Sequence, residues 1–190
     1  MRALLLTVTA MLVLTGANSV RAATILFDLQ GKAGVGLLSG NENGAISGTP
    51  GTGGEIGAGV SYDDVTNILT VNVAWGSLNG FTDLSSAANN SHIHGPTSSG
   101  GTASFTQDAG VVFNLPRVSS TANGGSISTT VVLSATQENE LLAGRYYINV
   151  HTGTNGGGEI RGNLVAVPEP SRMMVAGMGL LLAAFCRRRR

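Results

Sequence analysis

Between residues 24 and 166 apolar side chains recur at every second position in short runs, and almost nowhere at the three-to-four spacing of a helix. Leu69, Val71, Val73 and Trp75 fall on one side of an extended segment, with Thr70, Asn72 and Ala74 on the other. That alternation describes a strand with one face in a core. The same pattern predicts a first strand in ATILFDLQG and a hairpin in GAGVSYDDVTNILTVNVAW that turns at Asp63–Asn67. Further strands are predicted at residues 92–94, 109–114, 126–133, 145–151 and 159–165, separated by Gly, Asn and Ser. Thr136, followed by Gln-Glu-Asn-Glu, predicts the start of one helical turn, and the Gly/Ser/Thr-rich stretches 39–54 and 97–103 read as surface loops. The expectation is an all-β domain, a single antiparallel β-sandwich or barrel spanning residues 24–166.

The two ends break this pattern. Residues 1–23 carry Arg2, an apolar stretch from Ala3 to Ala17 and the small-residue pattern Val20-Arg21-Ala22. Together they read as a secretory signal peptide cleaved after Ala22 or Ala23, with an uncleaved anchor as the alternative. Residues 167–190 run from Pro168-Glu169-Pro170 through an apolar stretch, Met173–Cys186, to four arginines, Arg187–Arg190. The stretch is shorter than the ~20 residues that span a bilayer core unaided, and the arginines would stay on the cytoplasmic side. The order Pro-Glu-Pro, short hydrophobic helix, arginine cluster resembles the PEP-CTERM sorting signal. That resemblance implies a Gram-negative bacterium and export through the inner membrane with transient anchoring there. It also implies processing by an exosortase-type enzyme and delivery to the cell surface or exopolysaccharide.

With the ends set aside, composition changes the picture in two ways. Residues 24–166 hold four basic residues (Lys32, Arg117, Arg145, Arg161) against ten acidic ones, a net charge of −6, which argues against nucleic acid as a partner. The single cysteine, Cys186, lies in the tail, so the domain must fold without a disulfide.

Candidate chemistry rests on three histidines, His92, His94 and His151, the only ones in the chain. In extended backbone His92 and His94 point to one side and Ile93 to the other. In YYINVH, Tyr147, Asn149 and His151 share one face while Tyr146, Ile148 and Val150 share the opposite one. With Ile93, Ile148 and Val150 in the core, the three imidazoles would converge if the two strands are neighbours. Three neutral imidazoles suit copper, zinc or another late first-row ion with an open position. Glu159 is the candidate partner of a ligating imidazole or fourth ligand. The competing reading leaves the histidines as polar groups on a sheet face, and Glu159 and Arg161, two residues apart, as an ion pair closing the sheet. Asp63-Asp64 suits a turn at least as well as calcium, and Trp75 is in phase with the core. Tyr146 and Tyr147 are divided between core and surface. No Gly-x-Ser-x-Gly elbow, P-loop or dinucleotide fingerprint is present, and no enzymatic activity is expected.

SHIHGP taken with GRYYINVHTGTNGGGEIRGNL resembles the CHRD domain, and LLSGNENG and GAGVSYDDVTNILTVNVAWGSLNG fit that family's opening strands. The resemblance spans roughly residues 25–165 and implies an immunoglobulin-like or barrel-like β domain. More weakly, a His-x-His on one strand with a later strand histidine is similar to copper/zinc superoxide dismutases, by type and order only. No fourth ligand histidine, bridging histidine or structural disulfide is available, so dismutase activity is not expected. The resulting expectation is an exported surface or exopolysaccharide-associated CHRD protein with an adhesive or matrix-structural role. The alternative is an extracytoplasmic metal-binding protein, with copper the favoured ion, using the three histidines, and a redox enzyme built on that copper ranks last.

Overall fold

The computed structural model describes residues 24–41 and 44–168. The segments read as a signal peptide (1–23) and as the hydrophobic helix of a sorting tail (Met173–Cys186) lie outside the described residues. Among the described residues, no helix is long and apolar enough to cross a membrane.

The domain is all-β and antiparallel. Its strands are β1 (Thr24–Gly31), β2 (Gly34–Val35), β3 (Leu37–Leu38), β4 (Thr52–Asp63), β5 (Ile68–Trp75) and β6 (Ala88–His94), followed by β7 (Val111–Asn114), β8 (Ser119–Ser120), β9 (Gly125–Val132), β10 (Tyr147–Thr152) and β11 (Ile160–Ala166). They pair in the order β7-β6-β10-β11-β1-β4-β5-β9-β8, with β2 added to β1 and β3 bridging β11 and β4. Each predicted strand is present, and β6 is longer than the His92–His94 segment that announced it. Residues 39–54 are not wholly loop. They contain a 3-10 turn at Ser39–Asn41, and β4 already begins at Thr52.

Inward-facing side chains from both halves of this sheet enter one apolar cluster. Ile93, Ile148, Val150, Ile160 and Leu164 come from the β6-β10-β11 half, and Leu69, Val71, Val73, Trp75 and Ile127 from the β5-β9 half. The sheet therefore folds over on itself as a sandwich, the arrangement that gives its apolar face a partner. The register shift between Glu55 and Val60, where Gly57 and Gly59 have positive φ, interrupts the long β4 within this path. Trp75 is fully buried, with its indole N–H donated to the Thr121 carbonyl. Its ring occupies the space a side chain at position 125 would need, since a Cβ there would lie 2.0 Å from the indole.

Local chemistry closes the elements as expected, with one shift. Asp63 Oδ1 accepts from the Val65 and Thr66 amides at 2.9 Å each, and Asn67 takes φ 57°. The acidic pair thus begins a self-capped turn. The helix, α1 (Ala135–Leu142), starts one residue ahead of Thr136 and is capped by Ser134, whose side chain and that of Gln137 exchange hydrogen bonds with each other's backbone. It buries only Leu141 and sits on the link between β9 and β10.

Because the core is shared between the two halves, a cavity on either side should weaken the whole unit. Ile148→Ala is expected to lower stability by about 2–5 kcal/mol. Val132→Ala, at a position 69% exposed, should change it by less than about 0.5 kcal/mol. Chemical denaturation midpoints of the two variants check this.

Candidate metal centre

β6 and β10 are neighbours, and their register decides what meets on the outer face. Tyr147 lies opposite His94, Asn149 opposite His92, and His151 opposite Asn90, so His92 and His151 are diagonal neighbours across the pair. The three imidazoles converge, as expected if these two strands are neighbours. Ring centroids are 5.4 Å apart for His92 and His94, 4.9 Å for His92 and His151, and 5.6 Å for His94 and His151. One ring nitrogen from each lies within 4.8 Å of the others, and among the described residues no carboxylate or thiol joins the group.

Outer hydrogen bonds define which nitrogens face the centre. His94 Nδ1 is 2.9 Å from the Ala109 carbonyl and His151 Nδ1 is 3.0 Å from the Gly156 carbonyl. A carbonyl only accepts, so both Nδ1 atoms carry the proton and both Nε2 lone pairs are bare. His151 Nε2 accepts from His92 Nδ1 at 3.1 Å. His94 Nε2 has no hydrogen-bond partner although it is completely buried. An unpaired lone pair in such a place is unfavourable by roughly 1–3 kcal/mol unless something occupies the space in front of it.

This face is only partly open to water, with His94 buried and His92 and His151 half-buried, where a face turned from the core was expected to be exposed. Tyr147, expected to share in the surface, is 2% exposed, and its ring stacks on His94 at 5.0 Å with an 11° interplanar angle. The guanidinium of Arg161 lies 3.5 Å from the centroid of that ring. Arg161 is itself fully buried and reaches Asp108 at 3.1 Å and the carbonyls of Ser104 and Gln107 at 3.2 and 2.7 Å, tying the 3-10 segment Gly101–Thr106 and the residues after it over the sheet. Asn163 adds a bond to Ser104 Oγ at 2.9 Å. On the other side, Asn149 donates to the Gly157 carbonyl, and its side chain fills the place a Cβ on Gly158 (φ 126°) would take. The two loops that cover the face also supply the Ala109 and Gly156 carbonyls. A cleft of about 340 Å³, lined by Ser47, His94, Asp108, Tyr147 and Gly156–Gly158, opens beside the imidazoles.

Glu159 is neither the fourth ligand nor the partner of a ligating imidazole, and it does not pair with Arg161. Its buried carboxylate accepts from the Gly51 amide (2.9 Å), the Ser85 amide (2.7 Å) and hydroxyl, the Thr152 hydroxyl (2.8 Å) and Asn155 Nδ2 (3.1 Å). The physical reason is that three loops meet at the start of β11 and bring donors that no residue spacing revealed. Through Thr152 and Asn155 the carboxylate anchors the turn that presents the Gly156 carbonyl to His151. Ala109, Gly156, Tyr147 and Arg161 were not found from the sequence as parts of the centre. Alternation put Tyr147 on the correct face, but the covering loops could not be read from it.

Residues 12–164 match the CHRD domain. The chain belongs to the CHRD-domain family. No curated protein and no solved structure matches it. Within this CHRD domain the centre is built from the two phrases that carried the resemblance, one on β6 and the other running from β10 into β11.

Electrostatics leave the CHRD imidazoles uncharged. Burial first, then the two neighbouring histidines and Arg117, pushes His92 down to about 4 from an ordinary 6.5. His94 and His151 are also lowered, chiefly by burial, against the opposing pull of their carbonyl bonds. A depressed histidine pKa in the folded state makes the unfolded chain the better proton binder. The metal-free domain should therefore hold its full stability above about pH 6.5 and lose it progressively as pH falls from there towards about 4. Burial acts to raise Glu159, but the hydrogen bonds from Ser85, Gly51 and Thr152 outweigh it and hold the group below 4.5, adding a further loss in stronger acid. Melting temperature measured against pH for the wild type and His92→Gln is the check, with a flatter profile between pH 4 and 6.5 expected in the variant.

Proposed function

We propose that this CHRD protein is an extracytoplasmic metal-binding protein that holds one late first-row ion, copper or zinc, between His92, His94 and His151. The single observation that supports this best is the buried and unpartnered Nε2 of His94. It faces two further imidazole nitrogens in a preassembled group, and a metal would give it the partner that it lacks. The donors would be His94 Nε2, His151 Nε2 and His92 Nδ1, the last freed when its proton moves to the outer nitrogen. The Ala109 and Gly156 carbonyls are the orienting acceptors that ligating imidazoles commonly have.

The place of action we propose is the cell surface or exopolysaccharide of a Gram-negative bacterium. Export through the inner membrane and exosortase-type processing of the tail are read from the two terminal segments alone. The role there is binding and matrix structure, not catalysis. A purely adhesive or structural role in the matrix is the second reading, and it requires no metal.

Metal content after exposure to copper or zinc and exhaustive washing separates the two readings. The expected result is about one equivalent in the wild type and a loss of at least about tenfold in affinity in His94→Ala, in line with removing one of three donors. Equal and negligible metal in both proteins would leave the adhesive or matrix-structural reading standing alone.

A further inference from the structure

Provided the metal-binding reading is correct, one more buried group on the same face bears on what else the ion holds. Asn149 lies between Tyr147 and His151 on β10 and directly opposite His92 on β6. Residues paired in this way have Cβ atoms about 4.5–5.5 Å apart, so its side chain rises from the same patch of sheet as the three imidazoles. It is 3% exposed.

The amide is only half satisfied. Nδ2 donates to the Gly157 carbonyl at 3.1 Å, while Oδ1 is buried and has no hydrogen-bond partner. Exchanging the two atoms would set oxygen against the carbonyl oxygen, so it is the acceptor end that is left over. The amide packs against Gly158, and Gly158 and His94 both line the cleft beside the imidazoles.

Two unpaired atoms on the histidine face of β6 and β10 are thus both acceptors, His94 Nε2 and Asn149 Oδ1. An ion held by three ring nitrogens takes up the first lone pair and leaves the amide oxygen without a donor. A water that completes the ion's coordination satisfies both. Its oxygen binds the metal, and one of its hydrogens, made a stronger donor by the ion, is given to Oδ1. Asn163 Oδ1 is also buried and unpaired, but it belongs to β11, opposite Tyr147 and one strand farther from His92.

We propose that Asn149 positions the non-protein ligand of the centre by accepting a hydrogen bond from it. It thereby selects a protic oxygen ligand, water or another hydroxyl, over an aprotic anion. An anion such as azide brings only lone pairs to that place, where they oppose those of Oδ1, and it must displace a hydrogen-bonded water. Asn149 is a positioning residue in this role, acting on the ligand and not on the ion.

The test is a titration of the copper(II)-loaded protein with azide, read by the azide-to-copper charge-transfer absorption, in the wild type, Asn149→Leu and Asn149→Asp. Both substitutions remove the bond to Gly157, and only Asn149→Leu removes the acceptor. Azide is expected to bind about threefold to tenfold more tightly in Asn149→Leu than in the wild type, the size of one net hydrogen bond. It should bind no more tightly in Asn149→Asp, and copper content should match the wild type in both. Asn163→Leu, which removes the other unpaired amide oxygen, should leave azide affinity unchanged. If Asn149→Leu does not fold, Asn149→Ala takes its place with the same expectation. Unchanged azide affinity in Asn149→Leu at full copper content would overturn the inference and leave the metal site intact. So would an equal gain in Asn149→Asp or Asn163→Leu, which would trace it to loosening of the covering loops. Copper lost from Asn149→Leu but kept by Asn149→Asp would overturn it too, by assigning Oδ1 to the ion itself. A wild type that takes up no copper would instead remove the metal site, and this inference with it.

Discussion

The antiparallel pairing of β6 with β10 is the constraint on which the rest depends. Its register sets His94 opposite Tyr147 and His92 opposite Asn149, and it leaves His151 diagonal to His92. The same register points Ile93, Ile148 and Val150 into the shared core. A slip of one residue would exchange the two faces, burying imidazoles in the apolar cluster and turning isoleucine towards the polar layer. The hydrophobic effect that closes the sandwich and the geometry that gathers the histidines are thus one and the same specification.

A second layer is built on that face from charged and polar groups, and its loops are held by residues at the beginning of β11. Glu159 gathers three loops at one end, and Arg161 fastens the segment 104–108 at the other. Burying a carboxylate and a guanidinium is unfavourable unless each is engaged, and Glu159 and the terminal nitrogens of Arg161 are held by backbone groups and short side chains, several from distant parts of the chain. What this arrangement secures is position. The Ala109 and Gly156 carbonyls that set the tautomers of His94 and His151 both sit on the loops so fastened.

The strands were legible because a half-buried sheet imposes a period of two on the sequence, and the face assignments of His92, His94, His151 and Trp75 follow from that period alone. That β6 and β10 pair was not legible, since alternation says nothing about which strand is whose neighbour. Glu159 and Arg161 show the limit most clearly. Their spacing suggested an ion pair, yet their partners come from residues such as Ser85 and Asp108, more than fifty positions away in the chain. Tyr147 likewise shares a face with the histidines, as expected, but the loop that buries it carries no periodic signal. The cap of α1 moved from Thr136 to Ser134 because two residues there each complete a hydrogen bond that a propensity reading does not count.

The central claim is that three imidazoles from two paired strands form one metal centre, with His94 Nε2 as its most exacting donor. Anomalous diffraction at the copper edge from crystals of the copper-loaded protein tests it most directly. The account expects one strong peak about 2.0–2.1 Å from His94 Nε2, His151 Nε2 and His92 Nδ1, with the sheet register unchanged. A copper peak elsewhere on the protein, or none between the three rings at full loading, would contradict it.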